Sequence, residues 1–125
     1  MPGYKYSELS GKIIGASMKV HRFLGSGFPE IIYSRCLVIE LKKLGLLCET
    51  EIEKKIFYDE VDVGSRRLDL LVENIFIVEL KAVKEVEPIF YNQVINYLKV
   101  FNIEVGLLLN FGNKSLQYKR FARSK

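Results

Sequence analysis

Three ionisable residues interrupt stretches that otherwise read as hydrophobic strand. Glu79 and Lys81 end the most apolar run of the chain, Ile75-Phe76-Ile77-Val78-Glu79-Leu80-Lys81, and Asp69 lies in the preceding run, Arg67–Val72. At i and i+2 on a strand, Glu79 and Lys81 point to the same face. Burying either charge without a partner is costly, so something must compensate. If the loop between the two runs has an odd residue count centred on Asn74, Asp69 sits directly opposite Glu79. Cβ atoms in such a pair are about 5 Å apart. Two carboxylates that close repel one another unless a cation lies between them. A hard divalent ion with oxygen ligands, Mg²⁺ or Mn²⁺, suits that pair, with the Leu80 carbonyl as a further ligand. The plainer alternative is an ordinary salt bridge from Lys81 to Glu79 or Asp69.

The elements that must position these residues follow from periodicity. Leu9, Ile13, Ala16, Val20 and Leu24 repeat at helical spacing, with Ser7 as a plausible N-cap and Gly25-Ser26-Gly27 as the stop. Pro29 opens a second helix with Tyr33, Leu37, Leu41 and Leu44 as its inner stripe, ended by Gly45. Glu49–Tyr58 reads as an exposed, twisted strand, and Asp59–Gly64 as a turn region. Arg67–Val72 and Ile75–Leu80 read as strands around Glu73-Asn74. Pro88 starts a third helix, Ile103–Leu109 is a buried strand, and Leu116–Phe121 is a short last strand. The order α-α-β-β-β-α-β-β describes an α/β chain with a mixed sheet flanked by helices. No linker or repeat divides it, so residues 1–125 read as a single domain.

Further stretches extend the pattern. Gly27-Phe28-Pro29-Glu30-Ile31-Ile32-Tyr33 spells Gly-x-x-Glu-x-x-Tyr and follows Val20-His21-Arg22-Phe23-Leu24-Gly25. Gln93-Val94-Ile95-Asn96-Tyr97-Leu98-Lys99 leads to Gly106-Leu107-Leu108-Leu109-Asn110-Phe111-Gly112. Together with Arg67–Val72 and Ile77–Val83, these resemble the GxxExxY family of the PD-(D/E)xK nuclease superfamily, in order, from about His21 to Phe121. The resemblance implies a restriction-endonuclease-like fold and hydrolysis of phosphodiester bonds in DNA or RNA. Asp69 and Glu79 would then be metal ligands and Lys81 a catalytic residue acting on the attacking water or the developing charge. Glu30 would reach the metal or its water, and Gln93 would line the site. His21 and Tyr33 would support it. A metal lowers the pKa of bound water and clamps a phosphate, and a lysine adds positive charge where the transition state gains negative charge. One departure stands out. Members commonly carry a histidine two residues after the proline opening the third helix, and here that residue is Phe90.

Each residue also has an ordinary structural reading. Glu30 follows Pro29 in a first helical turn, where the helix dipole favours acid. Gln93 reads as surface, Tyr33 as core and His21 as a packed or loop-bonding histidine.

Composition narrows the field around this reading. The 125 residues carry 49% hydrophobic and 27% charged side chains, a globular balance. The net charge of +4 fits a nucleic-acid partner only weakly. Basic residues are dispersed, from Lys5 and Lys12 to Lys125. Arg66 and Arg67 before the metal strand, and Lys119 and Arg120 near the end, are the candidates for phosphate contact. Tyr4, Tyr6, Tyr91 and Tyr118 are candidates for base stacking. No apolar run approaches the ~20 residues of a membrane span. Met1-Pro2-Gly3-Tyr4-Lys5-Tyr6 lacks the basic-then-apolar pattern of a signal peptide. Cys36 and Cys48 are too few for a disulfide framework and not spaced as a metal knuckle, so both are expected reduced in a cytoplasmic protein. A lone His21 and no Gly-x-Ser-x-Gly argue against a serine hydrolase. A catalytically silent binding module that keeps the nuclease fold is the alternative, motivated by the lack of any visible target-recognition element. A homodimer with paired sites is a third reading.

Overall fold

The computed structural model describes residues 6–123; Tyr4, Lys5 and Lys125 lie outside them. Helix α1 (Ser7–Leu24) and helix α2 (Glu30–Lys43) precede strands β1 (Cys48–Tyr58), β2 (Val61–Val72) and β3 (Phe76–Lys81). Helix α3 (Pro88–Phe101) and strands β4 (Val105–Asn110) and β5 (Gln117–Ala122) complete the chain. The sheet order is β1-β2-β3-β4-β5. β3 and β4 are parallel, and every other neighbouring pair is antiparallel. A parallel pair needs a crossover, and α3 provides it. The α/β class and the element order expected from the sequence are those observed.

Helices α1 and α2 cover one face of the sheet and α3 the other. On the first face Ile13, Val20, Tyr33, Leu37 and Leu41 pack on Leu70, Val72, Phe76, Val78, Leu107 and Leu109. On the second, Leu98 packs with Leu68 and Ile77. Covering on both faces explains why β4 is buried at all six positions, the pattern that near-continuous apolar strands dictate. Gly106 lets α3 lie low on β4, since a Cβ there would come within 3.1 Å of Val94 Cγ1 and 3.2 Å of Leu98 Cδ2. Among the described residues no helix is long and apolar enough to cross a membrane.

Several local expectations change. Ser7 is the first helical residue, not the cap. Tyr6 occupies the N-cap in the left-handed conformation, without a side-chain cap bond. Pro29 is the N-cap of α2 and Glu30 its first residue. Leu44 leaves the inner stripe and is half exposed, because the helix ends there. The left-handed Gly45 donates to Lys42 O and Leu46 donates to Leu41 O, the paired bonds of a glycine C-terminal motif. The turn region Asp59–Gly64 shrinks to Asp59-Glu60, both at positive φ, the requirement of a two-residue hairpin turn. Val61 to Ser65 therefore belong to β2, with a register shift at Ile56/Phe57. Alternating Val61 and Val63 carried that strand signal. Asp62 and Gly64 masked it.

Candidate active site

The register of β2 and β3 pairs Leu70 with Val78, Leu71 with Ile77 and Val72 with Phe76. Continued by one step, it sets Asp69 against Glu79, as a loop centred on Asn74 requires. There the ladder gives way to side chains. The Asp69 N–H donates to Glu79 Oε2 at 2.9 Å, and the Leu80 N–H donates to Asp69 Oδ2 at 2.9 Å. Each carboxylate thus takes a backbone donor from the partner strand, and among the described residues its other oxygen accepts no hydrogen bond. Leu80 reaches the site through its backbone, while its side chain is core.

Across β1 the ladder is broken at the same level. Thr50 pairs with Leu70 and Ile52 with Leu68, but Glu51, between them, has φ 52°. A left-handed residue within a strand costs about 1–3 kcal/mol. Glu51 then lines a cleft of about 200 Å³ with Asp69, Leu80, Glu30, Ile31 and Ser34. In the sequence Glu51 is one more residue of an exposed strand. Nothing local distinguishes it from Glu49 or Glu53.

Electrostatics at the pair are unfavourable. Glu79 is 6% exposed. Burial, then repulsion by Asp69, pushes its carboxyl up to about 8, with Glu30 adding to the rise against the pull of the Asp69 N–H and Lys81. Burial also raises Asp69, offset in part by the Leu80 N–H and Lys81. Lys81 forms no ion pair with either acid among the described residues, so the salt-bridge reading does not hold. Its Nζ stands 4.6 Å from the centroid of the Phe90 ring, a cation–π contact that holds the ammonium. Phe90 occupies the place of the histidine that the resemblance leads one to expect. It holds the lysine but offers no acid or base.

Surrounding residues fix the frame. The Phe111 N–H donates to Lys81 O at 2.8 Å. Asn110, 1% exposed, accepts from the Val83 and Gly112 N–H groups. Its amide donates to Val83 O and Gln117 Oε1. The chain leaving β3 is thereby clamped. Tyr33 is buried, stacks on Phe111 at 4.6 Å, donates from its hydroxyl to Gly25 O at 2.5 Å and accepts from the Phe28 N–H at 3.3 Å. It ties down the loop that delivers Glu30. His21 is buried and its Nε2 lies 2.9 Å from Asn113 O, bracing the β4–β5 loop rather than the Glu30 loop.

The remaining predicted residues separate. Gln93 is exposed and lines a groove with Arg66, Ile89, Asn92, Asn96 and Tyr97. Tyr97 went unnoticed as a site residue. Burial, then the charge of Glu79, raises its phenol, and its position four residues after Gln93 on one helix face was the available signal. Arg66 and Arg67 diverge, since adjacent strand residues face opposite ways. Arg67 pairs with Glu51 at 3.2 Å, whereas Arg66 joins the groove. Lys119 lies 4.6 Å over the Tyr91 ring on the α3 face. Arg120 donates to the buried Ser10 at 3.0 Å on the α1 face, away from Lys119.

The donor set suits a hard cation. The buried Glu79 and the half-buried Asp69, both with raised pKa values, each keep one oxygen for a ligand, and both gain from a positive charge between them. Among the described residues no three His, Cys, Asp or Glu side chains gather into a preformed metal cage. Mg²⁺ asks for no such cage, because it keeps several waters and binds through one or two carboxylates. Asp69 and Glu79 would hold it.

A mixed five-strand sheet between helices, with an acid pair facing across two adjacent strands and a lysine ending one of them, is a nuclease-type architecture. The chain belongs to the PD-(D/E)XK nuclease superfamily, which matches residues 7–121. No curated protein matches it. Among solved structures it is similar to the protein described as "Crystal structure of SSO0001", with a TM-score of 0.58 and 20% identity over 77% of this chain. The chain spans 51% of that protein's length, and the likeness speaks for the fold.

Proposed function

We propose that the protein is a divalent-metal-dependent nuclease that hydrolyses phosphodiester bonds in DNA or RNA. The observation that carries this reading is the buried Glu79 facing the half-buried Asp69, beside a lysine that pairs with neither acid. A bound Mg²⁺ or Mn²⁺ would activate water and offset phosphate charge. Lys81 supplies a fixed positive charge for the transition state. Glu30, across the cleft from Asp69, accepts a hydrogen bond from the attacking water, and the Gln93 carboxamide orients substrate. The Gly27, Glu30 and Tyr33 spacing supports membership of the GxxExxY group, with Tyr33 holding the loop before Glu30. A cytoplasmic setting accords with Cys36 and Cys48, both free.

The test is cleavage of single- and double-stranded DNA and RNA with Mg²⁺ or Mn²⁺, comparing wild type with Asp69→Ala and Lys81→Ala. Metal-dependent cleavage lost in both variants is expected. No cleavage of any substrate, together with no divalent-ion binding by calorimetry, overturns the reading. Phe90 favours one second reading, a catalytically silent nucleic-acid-binding module, since it removes a possible proton-transfer group. On that reading, nucleic-acid affinity survives Glu79→Ala while no substrate is cut.

A further inference from the structure

The groove between β2 and α3 is not used by the chemistry above beyond Gln93. It encloses about 580 Å³ and is lined by Arg66, Ile89, Asn92, Gln93, Asn96 and Tyr97. That volume is ligand-sized. Its composition differs from that of the apolar groove between α1 and α2, lined by Val20, Phe23, Leu24 and Ile39 among others. Three carboxamides face solvent here. Among the described residues none of them makes a side-chain hydrogen bond within the chain. Asn92 and Asn96 are one helical turn apart, as are Gln93 and Tyr97, so the groove wall carries two parallel rows.

The charge at its rim is uncompensated. Arg66 donates only to the carbonyl of its neighbour Ser65, at 3.1 Å, and among the described residues it pairs with no carboxylate. Lys54 stands directly opposite Arg66 in the β1–β2 ladder and likewise has no acidic partner among the described residues. Like charges at opposed strand positions are destabilising. The flanking cations are treated differently, since Arg67 pairs with Glu51 and Lys55 with Asp62. Two cations left unpaired beside a row of free carboxamides call for a ligand with both anionic groups and hydrogen-bonding edges.

We propose that this groove binds a single strand of nucleic acid next to the reaction centre, Arg66 and Lys54 holding phosphates and Asn92 and Asn96 contacting base edges. The location rests on the nuclease reading. The binding chemistry does not. A carboxamide presents a donor and an acceptor together, the pattern that pairs with a base edge. Such edges are open on unstacked bases, which lie against flat or apolar side chains such as Tyr97 and Ile89.

The experiment is fluorescence anisotropy with labelled single-stranded DNA and RNA oligonucleotides of different base composition, in EDTA, over a range of salt. Arg66→Ala should weaken all strands by about tenfold and lower the salt slope by about one. Asn92→Ala combined with Asn96→Ala should change the ranking among bases and leave the salt slope intact. Variants that bind like wild type overturn the proposal, and so does equal or tighter binding of duplex. Cleavage with Mg²⁺ is scored separately on the same proteins. Strand binding with the expected variant effects, but no cleavage of any substrate and no divalent-ion binding, refutes the nuclease reading alone. Cleavage with unaltered binding by the groove variants refutes the groove alone.

Discussion

Replacing Glu79 by Gln keeps the shape of the site and removes its most costly charge. The amide oxygen of Gln can still accept from the Asp69 N–H, which lies 2.9 Å from Glu79 Oε2. In the unfolded chain the Glu79 carboxyl releases its proton near 4.5, and in the fold it holds it to about 8. Between those values the folded state binds more protons, so stability present below the lower value is lost as pH rises through the higher one. One pH unit is worth about 1.4 kcal/mol, so a single carboxyl moved this far costs roughly 4 kcal/mol between pH 5 and 9. Asp69, also raised, adds in the same direction. Urea denaturation in EDTA should therefore show wild type losing several kcal/mol over that range and Glu79→Gln losing much less. At pH 9, Mg²⁺ should restore stability to wild type and not to the variant, since binding requires the ionised pair. Parallel pH profiles for the two proteins would refute the account of the buried Glu79 carboxyl.

Three other changes test the frame around the pair. Gly112→Ala should destabilise the protein by more than about 2 kcal/mol in urea, because its Cβ would strike the Val83 backbone and lie 2.6 Å from Ala82 C. Asn110→Ala should cost about 1–3 kcal/mol, since it leaves half-buried backbone groups of Val83 and Gly112 without their partner. In a nuclease assay it should also lower the rate by loosening the chain after Lys81. Tyr33→Phe should cost only about 1 kcal/mol, because the stack on Phe111 remains. Hydrogen exchange should quicken at the Phe28 amide, which donates to the lost hydroxyl.

Much of the candidate site is legible in the sequence. The apolar run ending in Glu79 and Lys81 announced an expensive charge at a strand end, and the loop centred on Asn74 set the register that faces Asp69 with Glu79. These are local facts. Strand periodicity assigns faces, and a short hairpin leaves little choice of pairing. The spacing of Gly27, Glu30 and Tyr33 also pointed to the helix start that borders the cleft.

The tertiary structure alone decided the rest, since burial and long-range contact are not written in local periodicity. Glu51 resembles its neighbours in sequence, yet its left-handed backbone breaks the ladder beside Asp69. Arg66 and Arg67 are adjacent and equivalent as text. Packing gives one a carboxylate and leaves the other at a groove. Lys119 and Arg120 part in the same way, to opposite faces of the sheet. Above all, the carboxyl of Glu79 owes its raised pKa to burial and to the neighbouring Asp69, which only the assembled sheet brings together. The sequence determined which groups face one another across the two strands, and the fold determined how much their meeting costs, because that cost depends on the water excluded around them.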